Sequence, residues 1–454
     1  MGTQRANGSD HTKWGPHDIG PCDGTVSFPE GQPGPIIMYM PDCDDPLDPR
    51  HPKKGDDTPR IAISRPADPD SPLLLDWLTD KSDILVFDGP PCSFPGRVWK
   101  SEVGNYYNMV CAYEGGNVWA RYTSSDPALL HWRVAARQFT APRAVGNGLS
   151  GPLFHRVPNA PPGGPSHMIN ADTGSSFYLG DYDSTSERLN ITSGRQTIDS
   201  SSFFVFGAAG SASDGRLLLA DWEGMYKYPI SAISLIRELL YDRAAGQLVS
   251  RPVAEYASLR NATFVRSSRR VLAPNTTATL PVPPSAGGQI DVLASFDITS
   301  LRASDAVDFG VAVRAPRNTA RGADLSVAFT AVNDATDGSR TIQWSVRTSG
   351  PVPRGVSPPK VPPFKVLRDE SLDVRILVDG PIVEVFVQGG RSAFSWAENN
   401  FQRNKTAVHL FNNAGSQNVV AKNVSVFGMG CGWRPDEPKP RHAQPAKQTR
   451  VQRE

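Results

Sequence analysis

The stretch from Leu367 to Gly390 reads LRDESLDVRILVDGPIVEVFVQGG. In its first half Val374, Ile376 and Val378 alternate with Asp373, Arg375 and Leu377. A period of two sends successive side chains to opposite faces, as a half-buried strand requires. Asp379-Gly380 supplies a hairpin turn, because both residues tolerate positive φ. Pro381 can stand at the first position of the returning strand, where it breaks no central ladder bond. Ile382, Glu384 and Phe386 then alternate with Val383, Val385 and Val387, and Gln388-Gly389-Gly390 makes a second turn. The residues by themselves specify an antiparallel β hairpin, a scaffold element with no chemistry of its own.

Working outward, the chain has 454 residues, enough for two domains with sizeable cores. Its net charge is +1, so nothing points to nucleic acid or a membrane surface as a partner. Forty glycines and 41 prolines favour many short strands joined by turns over long helices. No apolar run is long enough to span a bilayer. The opening MGTQRANGSDHTKWG is polar and lacks the apolar core of a signal peptide. Cys22, Cys43, Cys92, Cys111 and Cys431 are an odd, sparse set without metal-ligand spacing, and they imply no disulfide framework. Acceptor sequons for N-glycans stand at Asn7, Asn190, Asn261, Asn275, Asn404 and Asn423. The acidic run Asp42, Asp44, Asp45 and Asp48 reads as a solvated loop.

The longer string LDVRILVDGPIVEVFVQGGRSAFS, with AVHLFNNAG at Ala407 to Gly415, resembles the C-terminal β-sandwich module of glycoside hydrolase family 32. That family contains invertases, inulinases, levanases and fructan exohydrolases. Earlier segments resemble its blades in family order. These are Pro35 to Met40, SPLLLDW from Ser71, SSDPALLHW from Ser124, RLLLADW from Arg216 and GQLVSRPVAEYASLRN from Gly246. The resemblance runs from residue 20 to 433. It implies an all-β protein, a five-bladed-type β-propeller with an incomplete first blade followed by a C-terminal β-sandwich. The expected division is a polar segment 1–19, a propeller 20–261, a sandwich 262–433 and a disordered tail 434–454. Trp132 is expected in a core, and Pro252 can open a short helix at the junction.

Retaining glycosidases set two carboxylates about 5 Å apart across the scissile bond, and inverting ones about 6.5–9.5 Å apart. The resemblance implies three acids: an Asp nucleophile in W-x-N-D-P-N-G, an Asp in F-R-D-P that grips fructose hydroxyls, and a Glu acid/base in E-C-P. None is found. No W-x-N-D-P-N-G occurs, and the chain reads as starting after that strand. The F-R-D-P place reads Phe94-Pro95-Gly96-Arg97, and the E-C-P place reads Ser150-Gly151-Pro152. Arg97 and Ser150 are therefore degenerate family positions, and a serine hydroxyl is no general acid near neutral pH. Asp23, Asp221 and Glu223 are the carboxylates placed to touch a sugar, and Trp99 and Trp222 the aromatics to stack on one. Asp199 and Trp14 are weaker alternatives, and the His residues pair with nothing suited to metal or nucleophile activation. Two functions stand open: a β-fructofuranosidase-type hydrolase, weak or inactive as written, or a non-catalytic fructan- or sugar-binding or regulatory protein. Either takes a β-fructofuranoside such as sucrose or fructan, needs no cofactor or metal, and can carry N-glycans. The family is expected in secreted or vacuolar compartments, while no signal peptide is read here. A third, structural reading is a gene product lacking its first blade, with exposed strand edges.

Overall fold

The computed structural model describes residues 24–39, 61–71, 74, 76–78, 84–90, 92, 94–113, 118–138, 153–170, 176–200, 204–211, 214–224, 231–286, 288–301, 307–317, 320, 322–348, 361–397 and 405–430. The N-terminal part is a β-propeller. Its described residues form four blades. Blade one has strands Gly24–Ser27, Ile36–Tyr39, Ala62–Pro66 and Trp77–Leu78. Blade two has Phe94–Lys100, Tyr107–Tyr113, Val118–Ser124 and His131–Gln138, with Val86–Asp88 added parallel to the last. Blade three begins with Phe154–Arg156, His167–Asn170 and Ser176–Asp183. Arg188–Ile191 and Gln196–Thr197 both pair with Ser176–Asp183. Blade four has Phe204–Ser211, Leu217–Gly224, Arg237–Asp242 and Gln247–Pro252, with Ser231–Ile233 on Leu217–Gly224.

Neighbouring blades share cores. Ile36, Met38, Ile61 and Ile63 of blade one pack with Met109, Tyr122 and Trp132 of blade two. Met168, Phe177 and Leu179 of blade three pack with Leu217, Leu219 and Leu239 of blade four. The SSDPALLHW segment is a structural device. Asp126 accepts backbone N–H groups of Ala128, Leu130 and His131 at 2.9, 3.0 and 3.2 Å. Its turn drops Trp132 into the core, where the indole N–H donates to Leu129 O at 2.7 Å.

A 3₁₀ turn, Ala254–Leu259, leads into the sandwich. Pro252 does not open it; that residue ends the preceding strand, paired with Arg237. One sheet orders Arg260–Ser267, Val419–Met429, Gln289–Asp297, Leu372–Asp379, Ile382–Val387 and Ser392–Ala397, with Arg270–Leu272 at its side. The other orders Thr276–Leu280, Ala407–Asn412, Phe309–Ala315, Leu325–Asp334, Arg340–Thr348 and Phe364–Val366. Their inner faces meet around Phe296, Phe309 and Phe329, whose ring centroids lie 5.2 to 6.0 Å apart. Each such burial contributes about 1.5–3 kcal/mol.

The hairpin forms as its alternation predicts, with Asp379 opposite Ile382. Pro381 belongs to the two-residue loop, not to the strand, and Gly380 takes φ +55° there. The hairpin is buried on both faces. Val374, Ile376, Val383 and Val385 enter the sandwich core. Leu377 and Phe386 face the other way, packing with Ala393 and with Leu235 of the propeller. Gly390, at φ +96°, brings its backbone against blade four; a Cβ there would lie 2.1 Å from Ser250 O.

Polar bonds fix that contact. Arg237 of blade four is fully buried and reaches Asp199 at 2.5 Å and Glu384 of the hairpin at 2.5 Å. It also donates to Ser395 Oγ. The second Glu384 oxygen accepts Leu235 N–H at 2.6 Å. Arg391 makes a parallel tie to Asp242 at 2.9 Å and Glu370 at 2.5 Å.

The cysteine expectation is corrected. Cys92 and Cys111 form a disulfide, joining the residue before the first strand of blade two to that strand's neighbour. Sequence spacing hides the pair, because a hairpin register brings it together. Cys22, Cys43 and Cys431 lie outside the described residues, as do the acidic run 42–48 and residues 434–454.

Replacing Arg237 with Met leaves Asp199 and Glu384 as uncompensated buried charges. It is expected to lower stability by about 3–5 kcal/mol, read from urea unfolding of the whole chain. A loss below 1 kcal/mol would mean the cluster is not the joint between the two domains.

Candidate functional site

Each blade's first strand borders the propeller axis. Ser27 Oγ of blade one accepts Val98 N–H of blade two at 2.9 Å, holding two of these strands together. A cleft of about 440 Å³ opens where these strands end. Phe28 and Glu30 follow the blade-one strand, and Lys100 and Glu102 close the blade-two strand. Arg156 ends the blade-three strand, and Gly215 lies in the turn after the blade-four strand.

The blade-two strand carries a β-bulge. Pro95 pairs with Cys111 and Val98 with Met109, so the first strand has one residue more than its partner between them. The extra residue falls at Gly96-Arg97, and a bulge re-aims the side chains beside it. Arg97 and Trp99 both line the cleft. Trp99 stands 5.1 Å from Phe154 and 6.3 Å from Tyr182, ring centroid to centroid. Phe154 stacks on His167 at 4.9 Å with planes 14° apart. These rings make an aromatic wall that ties blade two to blade three.

Glu187 also lines the cleft, from the turn after Ser176–Asp183, with φ +51°. It receives Ser101 Oγ at 2.7 Å, Tyr106 O–H at 2.7 Å, Asn108 Nδ2 at 2.8 Å and Arg121 Nη1 at 2.5 Å. Burial alone would push this carboxyl up; the donors outweigh burial and hold it below its ordinary value. It is a fixed anion, not a proton donor. Glu102 pairs with Arg156 at 3.3 Å, both well exposed.

His167 is drawn down to about 3, first by burial and then by Arg156 and Arg97. Its imidazole is therefore neutral at physiological pH. Tyr182 is pushed up to about 12, chiefly by burial and then by Glu187. Neither group exchanges protons near neutrality.

The expected site residues divide between two places. Arg97 and Trp99 are together in the cleft. Asp221, Trp222 and Glu223 have their backbone opposite Gly207, Phe206 and Val205, toward the start of the blade-four first strand. Leu217 lines the cleft, and five strand residues from it to Trp222 span roughly 17 Å. The two sets therefore do not share one small ligand. Asp23, Ser150 and Trp14 lie outside the described residues. Asp199 is a structural anion bound to Arg237. Arg156, His167, Tyr182 and Glu187 were not read as site residues; they lie on separate strands and turns, without a common motif. Among the described residues no group of His, Cys, Asp and Glu is arranged to hold a metal. No helix in the described residues is long and apolar enough to cross a membrane.

Residues 255–427 match the family model for glycosyl hydrolases family 32, C terminal. The sandwich thus matches the C-terminal module of glycoside hydrolase family 32, and the chain as a whole resembles that family. Among curated relatives it is 23% identical over 453 residues to a 6(G)-fructosyltransferase of Asparagus officinalis, covering 81% of this chain and 70% of that one. It is 25% identical over 442 residues to beta-fructofuranosidase 1 of Zea mays, covering 82% of this chain and 64% of that one. In structure it resembles fructan 1-exohydrolase IIa of Cichorium intybus at a TM-score of 0.69 and 18% identity, over 90% of this chain and 84% of that one. A variant of that exohydrolase has been solved in complex with 1-kestose. The propeller-and-sandwich fold of that family is thus present in this chain.

His167 should stay neutral down to about pH 4, with imidazole shifts that do not move between pH 8 and 5 in NMR. Because the folded ring refuses a proton that the unfolded chain accepts near 6.5, stability should fall as pH drops from about 6.5 toward 3. An ordinary midpoint near 6.5 in the folded protein would contradict the buried, cation-flanked position.

Proposed function

We propose that this chain recognises β-fructofuranosides while the family's hydrolytic step is lost or severely weakened. Its resemblance to a β-fructofuranosidase and fructosyltransferase family supports the ligand class, as does the 1-kestose complex of a relative. One observation carries the second half. Where the family has F-R-D-P, this chain reads Phe94-Pro95-Gly96-Arg97, with a glycine at the place of the acid, so no carboxylate stands there. Ser150-Gly151-Pro152 at the E-C-P place agrees with it. Two carboxylates that line the cleft with Arg97 offer no substitute pair. Glu187 is held as an anion by four donors, and Glu102 is engaged with Arg156.

Without two free carboxylates across the glycosidic bond, neither the covalent nor the water-mediated route has its acid and base. Asp23, Asp221, Trp222 and Glu223 are the residues we assign to sugar contact. Exposed sequon residues Asn190, Asn261, Asn275 and Asn423, with the Cys92–Cys111 disulfide, suit passage through an oxidising, glycosylating compartment. Binding of nucleic acid or membrane is not part of this reading, given the balanced charge.

Purified protein incubated with sucrose, 1-kestose, inulin and levan should release fructose at least about 10²–10⁴-fold more slowly than an active relative, the factor a positioned acid supplies. Calorimetry with the same sugars should show saturable binding, weakened by Asp23→Ala or Trp222→Ala. Robust turnover sinks the loss of hydrolysis, and flat titrations sink the retention of binding. For the glycan assignment, protein from a eukaryotic secretory host should lose mass on amidase treatment, with peptides deamidated at the four exposed asparagines. Unmodified peptides at all four would remove that part.

A further inference from the structure

We propose that the cleft at the far end of the inner strands is a second ligand site, one that takes the phosphate group of a small sugar phosphate on Arg97 and Arg156. It is independent of the fructoside reading, which assigns sugar contact to other residues.

The starting point is an imbalance of charge. Among three clefts of the described residues, two give every arginine in their lining a protein acceptor. In the groove between the domains Arg391 is matched by Asp242 and Glu370, and Arg251 by Glu238, while Arg243 donates to Asn159 O at 2.8 Å. In the sandwich cleft Arg347 is matched by Asp308. The propeller cleft differs. Arg97 is half-buried, and among the described residues no carboxylate or carbonyl accepts from its guanidinium. Burial lowers its affinity for the proton, and so does Arg156 beside it. Two like charges and a dehydrated guanidinium at one spot cost free energy that an oxyanion would return. Guanidinium groups bind phosphate oxygens through paired N–H donors.

The rest of the cleft fits that reading. His167 is neutral, with Nδ1 hydrogen-bonded to Ser166 Oγ at 3.0 Å; Nε2 has no partner among the described residues. Glu187 presents no net repulsion beyond the charge that Arg121 already meets. Lys100 is engaged by Asn105 at 2.9 Å and by the Tyr107 ring at 4.8 Å. Glu30 is exposed at the rim. The one competitor is Glu102, on Arg156 at 3.3 Å with both side chains more than half exposed. Exposed pairs of this kind are weak and exchange readily, so an entering phosphate can displace Glu102. Trp99 and Tyr182 offer aromatic surface next to the arginines, suited to the C–H face of a sugar ring. A volume of about 440 Å³ holds a ligand of that size.

The test titrates the full chain with fructose 6-phosphate, glucose 6-phosphate, inorganic phosphate and fructose, at one ionic strength held with sodium chloride. Calorimetry should show a sugar phosphate binding at least tenfold more tightly than either fructose or inorganic phosphate. Arg97→Gln should weaken that binding at least tenfold with circular dichroism unchanged. Glu102→Gln, a change at an exposed position, should tighten it several-fold by freeing Arg156. Equal affinity for fructose and its phosphate would overturn the proposal, and so would equal affinity for inorganic phosphate. Should Arg97→Gln fail to fold, the Glu102→Gln protein decides alone: affinity unchanged or weaker overturns the site.

Discussion

Everything in this molecule is referred to one buried cation. Arg237 has no solvent exposure, and it meets two carboxylates and a hydroxyl from three separate segments. Asp199 comes from the end of blade three, Arg237 from blade four, and Glu384 and Ser395 from neighbouring strands of the sandwich. A guanidinium can satisfy such a set only in one arrangement, because its donors form a rigid planar fork. The Phe386 ring lies 4.9 Å from the same guanidinium and covers it. Dehydrated charges tolerate little misplacement, so this cluster sets where the sandwich sits on the propeller. Gly390 then allows the two backbones to close to contact.

The cluster also explains a residue that period-two alternation treats as ordinary. In IVEVFV, Glu384 occupies the face opposite the core, where a solvated polar side chain is the usual occupant. It is completely buried instead. The alternation was right about which residues share a face and silent about what covers that face. A second domain covers it, and only contacts about 150 residues apart in sequence reveal this. The same limit hid Cys92–Cys111, since a disulfide depends on register between strands and not on the spacing of two cysteines. Strand positions, the two stacked sheets, the blade order and the core placement of Trp132 were legible, because each rests on local pattern or a turn such as that of Asp126. Of the site, only Arg97 and Trp99 were legible. His167, Arg156 and Tyr182 join them through packing between blades two and three.

Glu187 plays for the propeller the part that Arg237 plays for the domain joint. It reaches out of blade three into four donors of blade two and closes the gap between the sheets. A carboxylate so heavily solvated by protein is stable as an anion and poor as an acid. Its place in the cleft wall is that of a fixed negative charge. The aromatic contacts of Trp99, Phe154 and His167 cross the same seam. The cleft is thus walled by the parts of the propeller that are most firmly tied, which suits a preformed binding site.

The bulge at Gly96-Arg97 bears on both proposals. Inner strands of a propeller have one partner only, and Pro95, with no N–H to donate, is tolerated at such an edge. One inserted residue beside it changes which side chains reach the axis and where along it they point. At the place where the family holds a carboxylate, the strand here offers a backbone glycine and then a cation that enters the cleft with Trp99. A guanidinium cannot take up or give a proton in the range where glycosidases work. It can bind an anion strongly and selectively.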